Sequence, residues 1–424
     1  MAPSVYQHTL SLRGRAFGVF RVFRSRPRVF FLDSSLRTPG ARFSYIGFAP
    51  FTTVRGGDLA GLKKEFDKHR LPRQKLSFPA GAVGYLGYDG SLCFGFYDTV
   101  LTIDHQEHKL IISSFFRGRI KDILKELYLS TGGGASPGPD EQRSLNFQSN
   151  FTRAGYMKAV RQALEHIRRG DIYQINLSHQ IKVHIPDWQR ITDPAAIYGH
   201  LRRAFPSEYG AYLDDGERVI LSASPERFLR LHNGTVQVKP MKGTRPRGKT
   251  KAQDRAFKEE LIKSPKEIAE LLMVTDLERN DLGRVCDYAS VRVRRLRTIE
   301  TYRSVFQATS TVEGRLHKAR DQFDLLKAAF PSGSVTGCPK IEAMKTIEKL
   351  EHGPRGLYTG ALGYISFSGD MDFNVIIRAL FLKPHEVTFH VGGGIVADSR
   401  PAAEWQETWD KAGPLMETLR RSFS

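Results

Sequence analysis

The sequence predicts an α+β fold in which large, mostly antiparallel β-sheets are flanked by helices. Two observations support this class: strand-like segments are interspersed with helical ones, and the regular βαβ rhythm of a parallel sheet is missing. The chain has 424 residues, of which 40% are hydrophobic and 26% are charged. This composition excludes a mainly disordered chain and provides enough residues for one large core or two ordinary ones.

The part of the chain before residue 131 contains mostly predicted strands. The N-terminal segment, where arginines occur between residues 13 and 28, alternates like a strand and lacks the apolar core of a signal peptide. Further alternating segments are separated by glycines and are followed by a helical pattern. The predicted elements are strands at 28–32, 43–48, 82–88 and 110–116 and a helix at 120–128.

Residues 131–144 are the clearest predicted linker, a loop rich in glycine and proline. The run TGGGASPGP at 131–139 can neither hold a helix nor contribute side chains to a core. The linker divides the chain into an N-terminal β-rich region, 1–130, and a second region, 145–424. These two parts are not necessarily independent domains.

The second region begins with a helix and a strand. Thr152 is a predicted N-cap, the apolar positions after it repeat every 3.6 residues, and Gly170 is placed to end the helix. In the strand that follows, at 171–178, successive side chains point to opposite faces. One face, predicted as core, carries Tyr173, Ile175 and Leu177, and the other, free to line a site, carries Gln174, Asn176 and Ser178.

The remaining predicted elements continue to mix strands and helices. Strands are predicted at 219–223, 228–231, 236–238, 362–367, 375–381 and 387–391. Helices are predicted at 265–281, 323–329, 340–350 and 402–411. No internal repeat accompanies them.

The charge and the cysteines limit the classes of partner and the compartment. The net charge is +19, which suits nucleic acid, an anionic surface or a small anionic substrate. The basic residues are spread through folded segments without a nucleic-acid-binding motif, so we expect no nucleic-acid partner. No apolar run approaches the roughly 20 residues that cross a bilayer, so we expect no membrane segment. Cys93, Cys286 and Cys338 fit neither a disulfide framework nor a zinc site, which favours a reduced, cytoplasmic location.

Residues 243–250, GTRPRGKT, match the phosphate-loop pattern G-x-x-x-x-G-K-[ST]. A phosphate loop follows a buried apolar parallel strand and opens a helix whose amides hold the phosphates. The segment before this one alternates and contains Pro240, and the segment at 251–260 is highly charged. The candidate partner strand at 271–276 is better explained as part of a helix. The sequence therefore disfavours a nucleotide hydrolase.

Two pairs of glutamates lie one helical turn apart. The segment SPKE at 264–267 has a serine N-cap, a proline at the first position and a glutamate at the third, which is the pattern of a helix start. Glu267 and Glu270 share one helix face, and Glu404, Glu407 and Lys411 repeat that spacing later in the chain. Two such faces can converge on Mg²⁺, which takes oxygen ligands and usually needs one or two protein carboxylates. Solvated helix faces are the alternative that spacing leaves open.

Seven blocks together resemble the chorismate-utilising enzymes, a family of anthranilate synthase large subunits, aminodeoxychorismate synthases and isochorismate or salicylate synthases. The blocks are GDIYQINLS (170–178), SASPERF (222–228), PMKGTRPRG (240–248), KEIAELLMVTDLERNDLGRV (266–285), FPSGSVTGCPKIEAM (330–344), RGLYTGALGY (355–364) and GGGIVADSRPAAEWQETWDK (392–411). They occur in the family's order, and their combination is more specific than any one block. Residues 32–50 are similar to the family's N-terminal region, which binds tryptophan in some members. The resemblance implies the anthranilate synthase component I-like fold, with its sheets packed in a sandwich.

The resemblance also implies a substrate and a metal. The substrate would be chorismate, a dianion with a ring carboxylate and an enolpyruvyl carboxylate. By position, Glu270 and Glu407 match the direct Mg²⁺ ligands, and Glu267 and Glu404 match carboxylates that act largely through water. The metal would hold the ring carboxylate together with the backbone amides of two residues, Gly243 and Thr244.

Further positions match groups on the substrate side of the family's site. Those expected to bind the pyruvyl carboxylate are Tyr358, Arg378 and the amides of Gly392, Gly393 and Gly394. An arginine suits that planar anion because its guanidinium can donate two parallel hydrogen bonds. Thr336 and Lys411 match additional substrate-side positions.

Three positions distinguish the members of the family. Isochorismate and salicylate synthases have a water-activating lysine where this chain has Gln174, and glutamine cannot act as a base. Aminodeoxychorismate synthases have a lysine at the position of Lys242, where anthranilate synthases typically have alanine. The histidine that is common in the family is replaced by Gln307, which can hydrogen-bond the substrate but cannot shuttle a proton. The chain is therefore most similar to the aminodeoxychorismate synthase large subunits.

This resemblance implies a covalent reaction. Lys242 would attack C2 of the ring while the C4 hydroxyl leaves, and ammonia would then attack C4 and expel the lysine. Lys242 needs a lowered pKa for this, and Glu226, which matches the general acid, needs a raised one. The expected product is 4-amino-4-deoxychorismate, for p-aminobenzoate and folate biosynthesis.

The expected ammonia source is a separate glutamine amidotransferase subunit, because no glutaminase segment is visible in the sequence. Free ammonium is the expected source in vitro. The alternatives that stay open are an anthranilate synthase and a binding protein without catalytic activity.

Overall fold

The computed structural model describes residues 4–12, 14–36, 38, 40–129, 145–185, 188, 193–302 and 305–423. The predicted linker at 131–144 lies outside the described residues. Within them, the chain forms two large sheets in which all paired strands are antiparallel, together with ten helices. The predicted α+β class with large antiparallel sheets is confirmed.

The larger sheet contains twelve strands. They are β1 (Tyr6–Ser11), β2 (Phe30–Asp33), β3 (Phe43–Gly47), β7 (Thr99–Asp104), β8 (Lys109–Ser114), β9 (Phe147–Ser149), β10 (Gln174–His184), β11 (Tyr209–Asp214), β12 (Val219–Ser224), β18 (Gly337–Cys338), β21 (Ala379–Lys383) and β22 (Glu386–Ile395). Their order is β1-β8-β7-β3-β2-β11-β12-β21-β22-β10-β18, and β9 also pairs with β10.

The smaller sheet contains ten strands. They are β4 (Thr52–Arg55), β5 (Gly81–Leu86), β6 (Leu92–Tyr97), β13 (Arg227–His232), β14 (Thr235–Val238), β15 (Met241–Pro246), β16 (Arg292–Thr301), β17 (Val305–Arg315), β19 (Ala361–Ser366) and β20 (Met371–Val375). Their order is β15-β17-β14-β13-β20-β19-β5-β6-β4, and β16 also pairs with β17.

The helices cover the outer faces of the two sheets. They are α1 (Ala16–Phe23), α2 (Leu59–Asp67), α3 (Arg117–Leu129), α4 (Arg153–Arg168), α5 (Pro194–Ala204), α6 (Lys251–Lys263), α7 (Pro265–Gly283), α8 (Gln322–Ala329), α9 (Lys340–Leu350) and α10 (Pro401–Ser422). Helices α1, α3, α5 and α10 bury apolar residues on the larger sheet, and α2 and α8 do so on the smaller one. In the part of the chain that is described, no helix combines the length and the apolar character needed to span a membrane.

The two sheets pack face to face around a shared apolar cluster. Phe30 and Ile220 of the larger sheet belong to the same buried cluster as Val83 and Tyr364 of the smaller sheet. Strands from both sides of residues 131–144 contribute to each sheet, because β2 pairs with β11 and β5 pairs with β19. The chain before residue 130 therefore completes both layers of the sandwich.

The prediction of a strand for the N-terminal segment is wrong over residues 16–23, which form helix α1. Its buried residues are Ala16, Val19, Phe20 and Phe23, a spacing of three, four and seven that places them on one helix face. Arg21 is the one arginine within this helix, and the others lie before and after it. The buried residues therefore follow the helical period and not the alternation of a strand.

The prediction of a single strand at 375–381 is also wrong. Strand β20 of the smaller sheet ends at Val375, and β21 of the larger sheet begins at Ala379. Between them the chain crosses from one sheet to the other, and Arg378 adopts a positive φ of 50°. Apolar residues on both sides of the crossing made the two strands look continuous.

Other differences concern the ends of elements. Tyr173, predicted as core, is 64% exposed because β10 begins one residue later, at Gln174. The helix predicted at 402–411 continues to Ser422, since Leu415 and Leu419 add two more buried turns beyond the predicted end. Helices α2, α5 and α6 were not predicted. The helix starts at Thr152 and Ser264 are confirmed by hydrogen bonds from backbone amides to their side chains.

Candidate active site

A large cavity of about 1640 Å³ collects most of the predicted site residues. The predicted residues that line it are Glu226, Lys242, Gly243, Thr244, Glu267, Glu270, Gln307, Tyr358, Arg378, Gly392, Gly393, Gly394, Glu407 and Lys411. Gln174, Thr336 and Glu404 do not line it. The amine, the acid and three of the four glutamates, two from α7 and one from α10, therefore share a single cavity.

Strand β15 brings Lys242 into this cavity. The pairing of β15 with β17 shifts between Met241 and Thr244, and Gly243 within the shift has a φ of +84°. The Lys242 ammonium donates a hydrogen bond of 3.3 Å to the backbone oxygen of Ser334. Desolvation lowers the pKa of Lys242, although the nearby carboxylates Glu270 and Glu226 act against that shift. This side chain is thus easier to deprotonate than an ordinary lysine.

Glu226 lies in the short connection between β12 and β13. It is 5% exposed, and burial raises the pKa of its carboxyl group to about 7. A hydrogen bond from Ser334 and the positive charge of Lys242 both favour the ionised form, but burial outweighs them. A carboxyl group in this state can hold a proton near neutral pH and donate it.

Two glycines let the backbone approach reactive side chains. A Cβ atom at Gly243 would lie 2.8 Å from the Glu267 carboxylate, and one at Gly394 would lie 2.8 Å from the Gln174 amide nitrogen. The same Cβ at Gly394 would lie 3.6 Å from the Lys242 amine. Side chains at these positions would therefore displace Glu267, which lines the cavity, and Gln174, which lies behind its wall.

The four glutamates approach the cavity from α7 and α10. The Ser264 hydroxyl oxygen accepts a hydrogen bond from the Glu267 backbone amide. The Glu267 carboxylate does not complete a capping box; it accepts a hydrogen bond from the Arg245 guanidinium at 3.3 Å. Glu407 pairs with Lys411 at 2.7 Å. Burial raises the pKa of Glu270 and of Glu404. A Cβ at Gly393 would lie 3.5 Å from the carboxylates of both Glu404 and Glu407, so these two glutamates lie against the same stretch of β22.

The donors fit the chemistry of a hard cation, because carboxylates from two helices line the same cavity. Among the described residues, no group of three or more histidine, cysteine, aspartate or glutamate side chains is arranged to hold a metal. One carboxylate from each helix is nevertheless sufficient for Mg²⁺, which retains waters and takes further oxygens from its substrate. The Mg²⁺ site stays a prediction.

Arg378 supplies positive charge elsewhere in the cavity. Its guanidinium lies over the Phe205 ring, 5.4 Å from the centroid, and no carboxylate partner is found for it among the residues described. Burial lowers its pKa. A partly buried guanidinium without a counter-ion is a site for an anion.

Several residues of the cavity were not predicted. Tyr358 stacks on His390 with ring centroids 5.0 Å apart, and burial lowers the pKa of His390 to about 3, so its ring is neutral. His390 Nδ1 and Asn176 Oδ1 are buried without a hydrogen-bond partner in the described part of the chain. The alternation of β10 was the available signal for Asn176. No local pattern indicated His390 or Ser334.

Gln174 and Thr336 stand behind the cavity wall. Gln174 is 1% exposed, and its Oε1 lacks a hydrogen-bond partner within the described residues. The Thr336 hydroxyl donates to the backbone oxygens of Ser332 and Gly333 at 3.0 and 3.3 Å. The Thr336 hydroxyl therefore supports the segment that carries Ser334, and the Gln174 amide lies next to Gly394 of the cavity wall.

The phosphate-loop match does not form a phosphate loop. Its strand, β15, is an antiparallel edge strand, and the candidate partner segment belongs to helix α7. The Gly248 amide donates to Asp254 at 2.8 Å, and the Thr250 hydroxyl caps α6 by accepting from Gln253. The groups that would hold a phosphate and a metal are thus used within the loop.

Comparisons with known proteins identify the family. The chorismate binding enzyme family matches residues 37–417. Anthranilate synthase component 1 of Thermus thermophilus is 42% identical over 431 residues, covering 93% of this chain and 92% of that protein. Aminodeoxychorismate synthase component 1 of Bacillus subtilis is 32% identical over 441 residues, covering 90% of each chain. Anthranilate synthase component 1 of Aquifex aeolicus is 42% identical over 274 residues, which is 65% of this chain and about half (54%) of that relative.

The fold agrees with the family match. The crystal structure of anthranilate synthase component I from Streptococcus pneumoniae has a TM-score of 0.77 at 30% identity, covering 89% of this chain and 92% of that one. The blocks that carry the resemblance lie within the matched residues, and their side chains meet at one cavity. The chain belongs to the chorismate binding enzymes.

Proposed function

We propose that the chain is the large subunit of an aminodeoxychorismate synthase, which converts chorismate and ammonia to 4-amino-4-deoxychorismate. The observation that carries the proposal is Lys242, whose amine lines the same cavity as Glu226 while their pKa values are shifted in opposite directions. The names of the relatives are divided between anthranilate and aminodeoxychorismate synthases. The amine at position 242, where alanine is expected in an anthranilate synthase, favours amination at C4.

Lys242 acts as the nucleophile. Its amine attacks C2 of chorismate, the ring double bond shifts, and the C4–O bond breaks. Ammonia then attacks C4, the double bond returns, and the C2–N bond to Lys242 breaks. The lowered pKa of Lys242 increases the fraction of free amine that is available for the first step.

Glu226 acts as the general acid. It donates its proton to the C4 hydroxyl, which leaves as water. Burial supports this role because it keeps the carboxyl protonated up to a pH of about 7. The nearby positive charge of Lys242 favours the ionised form of Glu226, so it stabilises the carboxylate that forms.

Different groups that line the cavity bind the two carboxylates of chorismate. Arg378 binds the enolpyruvyl carboxylate, together with Tyr358 and the backbone amides of residues 392–394. The backbone amides of Gly243 and Thr244 bind the ring carboxylate. Gln307, in strand β17, hydrogen-bonds the substrate.

Glu270 and Glu407 would hold Mg²⁺, with Glu267 and Glu404 in support. When bound, the ion supplies positive charge that holds the ring carboxylate and stabilises charge developing on the ring. Three of the four glutamates line the cavity, and burial raises the pKa of Glu270 and of Glu404, which supports a compensating cation there.

Ammonia comes from a separate glutamine amidotransferase. The basis of this proposal is that relatives of similar length are named component 1. Free ammonium replaces the partner in the isolated chain.

Product analysis tests the proposal. The purified chain is incubated with chorismate, Mg²⁺ and ammonium, and the products are identified by mass spectrometry and fluorescence. We expect 4-amino-4-deoxychorismate from the wild-type chain. Anthranilate as the main product would instead assign the chain to the anthranilate synthases, and the absence of chorismate consumption would leave only the binding-protein alternative.

A further inference from the structure

Three largely buried arginines of this chain share one arrangement of partners. An aromatic ring lies over the guanidinium of each, with the ring centroid 4.7–4.9 Å from Cζ. The Nε and Nη2 nitrogens of each donate to the two oxygens of one carboxylate. A ring therefore covers one face of the guanidinium, while a carboxylate binds at its edge. The three groups are Arg202 over Phe17 with Asp33, Arg227 over Tyr209 with Asp372, and Arg355 over Tyr88 with Glu351.

Arg378 has such a ring but lacks the carboxylate. Its Cζ lies 5.4 Å from the centroid of the Phe205 ring, and both side chains line the cavity. Within the described residues, its guanidinium contacts neither a carboxylate nor another hydrogen-bond acceptor. Burial lowers the pKa of Arg378, as expected for a buried cation without a counter-ion. The nitrogens that bind a protein carboxylate in the other three arginines are therefore left for a ligand in the cavity.

The backbone holds Phe205 in place from both sides. Its amide donates to the backbone oxygen of Leu201, the last turn of α5, at 2.9 Å. The next turn of chain is held by Ser207, whose amide donates to the Ser35 hydroxyl and whose oxygen accepts from the Leu36 amide, both at 2.9 Å. The Phe205 ring also packs against the buried cluster of the larger sheet. Phe205 is thus a fixed surface for the guanidinium.

The backbone of Arg378 does not by itself fix the guanidinium. Its oxygen accepts from the Ala223 amide at 3.1 Å, which holds the crossing between β20 and β21 against β12. Beyond the backbone, an arginine side chain has several rotatable bonds, and ordering them on binding costs affinity. A ring that already restricts the guanidinium plane reduces this cost before the ligand arrives.

We propose that Phe205 is a positioning residue for Arg378, whose ring directs the Nε and Nη2 edge of the guanidinium to the enolpyruvyl carboxylate of chorismate. This role rests on the proposed function, which assigns that carboxylate to Arg378. The substrate carboxylate takes the position that Asp33, Asp372 and Glu351 hold beside the other three arginines. Phe205 therefore acts on the affinity for chorismate and discriminates in favour of ligands that carry this carboxylate.

Binding of two ligands to a chain that cannot form the lysine adduct tests the proposal. The background is Lys242→Ala with Mg²⁺ and without ammonium. Isothermal titration calorimetry gives the Kd of chorismate and of an analogue in which hydrogen replaces the enolpyruvyl carboxylate. We expect Phe205→Leu, which removes the ring but stays apolar, to raise the Kd of chorismate about tenfold and to leave that of the analogue unchanged.

Two further variants control for the ring and for the substitution itself. Phe205→Tyr keeps an aromatic ring, so it should bind both ligands as the background does. Phe116→Leu replaces a phenylalanine that is 57% exposed and does not line the cavity, and it should change neither Kd. Circular dichroism checks that each variant is folded.

A double-mutant cycle separates positioning from general support of the cavity wall. Arg378→Gln should remove most of the preference for chorismate over the analogue, and adding Phe205→Leu should then change neither Kd. A further loss of chorismate affinity in the double variant would overturn the proposal. An equal rise in both Kd values in Phe205→Leu alone, or an unchanged Kd for chorismate, would also overturn it.

Failure of the proposed function gives a different result. A chain in which the preference for chorismate depends on Phe205, but which forms no 4-amino-4-deoxychorismate, would refute the proposed function and leave the role of Phe205 intact. Equal affinity of the background for the two ligands would overturn both the assignment of the carboxylate to Arg378 and the role of Phe205.

Discussion

At the scale of single residues, the burial that prepares Glu226 for proton donation also costs stability. The carboxyl group ionises at about pH 7 in the folded protein, compared with 4.5 for the ordinary group. Between pH 4.5 and about 7, this carboxyl group is ionised in the unfolded chain but protonated in the folded chain. The free energy of unfolding therefore decreases as the pH rises from 4.5 to about 7, and the whole loss is present above pH 7.

Glu226→Gln should remove this penalty. Each pKa unit is worth about 1.4 kcal/mol, so we expect the variant to be more stable than the wild type by up to about 3 kcal/mol at pH 8. At pH 4 both forms are neutral, and we expect little difference. The measurement is the free energy of unfolding in urea at the two pH values, with Glu348→Gln, at an exposed position on α9, as the control. Equal stability at pH 8 would show that Glu226 is not buried as a neutral acid.

Residues that belong to a sequence motif could be predicted as site residues. Residues that join the site only by contact with a segment far away in sequence were missed. Lys242 and Glu226 carry their roles in their side chains, so family blocks were sufficient to select them. His390 joins the site only by stacking on Tyr358, which is 32 residues away in sequence.

At the scale of elements, strand β22 shows why a run of glycines is needed. Gly392, Gly393 and Gly394 pair with Ser178, Leu177 and Asn176 of β10. The ladder between β22 and β21 ends at Thr388, so among the described strands the next part of β22 has a partner on one side only. Its backbone is therefore accessible to the cavity, and a side chain at Gly394 would enter the space between Gln174 and Lys242.

Gly394→Ala should impair the reaction more than the fold. The new methyl group would lie 2.8 Å from the Gln174 amide nitrogen, so that flexible side chain must move, and it would be in van der Waals contact with the Lys242 amine at 3.6 Å. We expect kcat/KM for chorismate to fall about 100-fold, because small displacements of reacting groups are costly.

Circular dichroism and steady-state kinetics provide the measurement for this variant. The control is Gly413→Ala on α10, where a Cβ atom would meet nothing within 4 Å. This change should keep full activity and add about 0.5–1 kcal/mol of stability. Full activity in Gly394→Ala would show that the backbone there does not border the reacting groups.

Helices with several turns of apolar periodicity could be predicted from the sequence, with or without a capping side chain. Helix α9 matches its prediction of 340–350 at both ends without a side-chain cap, and α7, capped by Ser264, extends two residues beyond its prediction of 265–281. Helix α1 was missed because it has only eight residues and the arginines around it suggested an alternating pattern. The crossing at Arg378 was missed because both sheets accept apolar residues, so nothing local marks where the chain leaves one for the other.

At the scale of the whole molecule, the sandwich brings distant parts of the sequence to one cavity. Lys242 comes from the smaller sheet and Gly394 from the larger sheet, while Glu270 comes from α7, which contacts the smaller sheet, and Glu407 from α10, which contacts the larger one. The net charge of +19 suits a dianionic substrate and raises its concentration near the surface. Such an assembly could be inferred from the order of the family blocks, but the sequence does not contain the distances.

The central claim is that the Lys242 amine bonds to the chorismate ring after Glu226 protonates the departing hydroxyl. Its most direct test is intact-protein and peptide mass spectrometry after mixing the chain with chorismate and Mg²⁺ without ammonium. We predict a mass increase of one dehydrated chorismate at Lys242 in the wild type and none in Lys242→Ala, with Glu226→Gln forming the adduct far more slowly. Normal production of 4-amino-4-deoxychorismate by Lys242→Ala would contradict the claim.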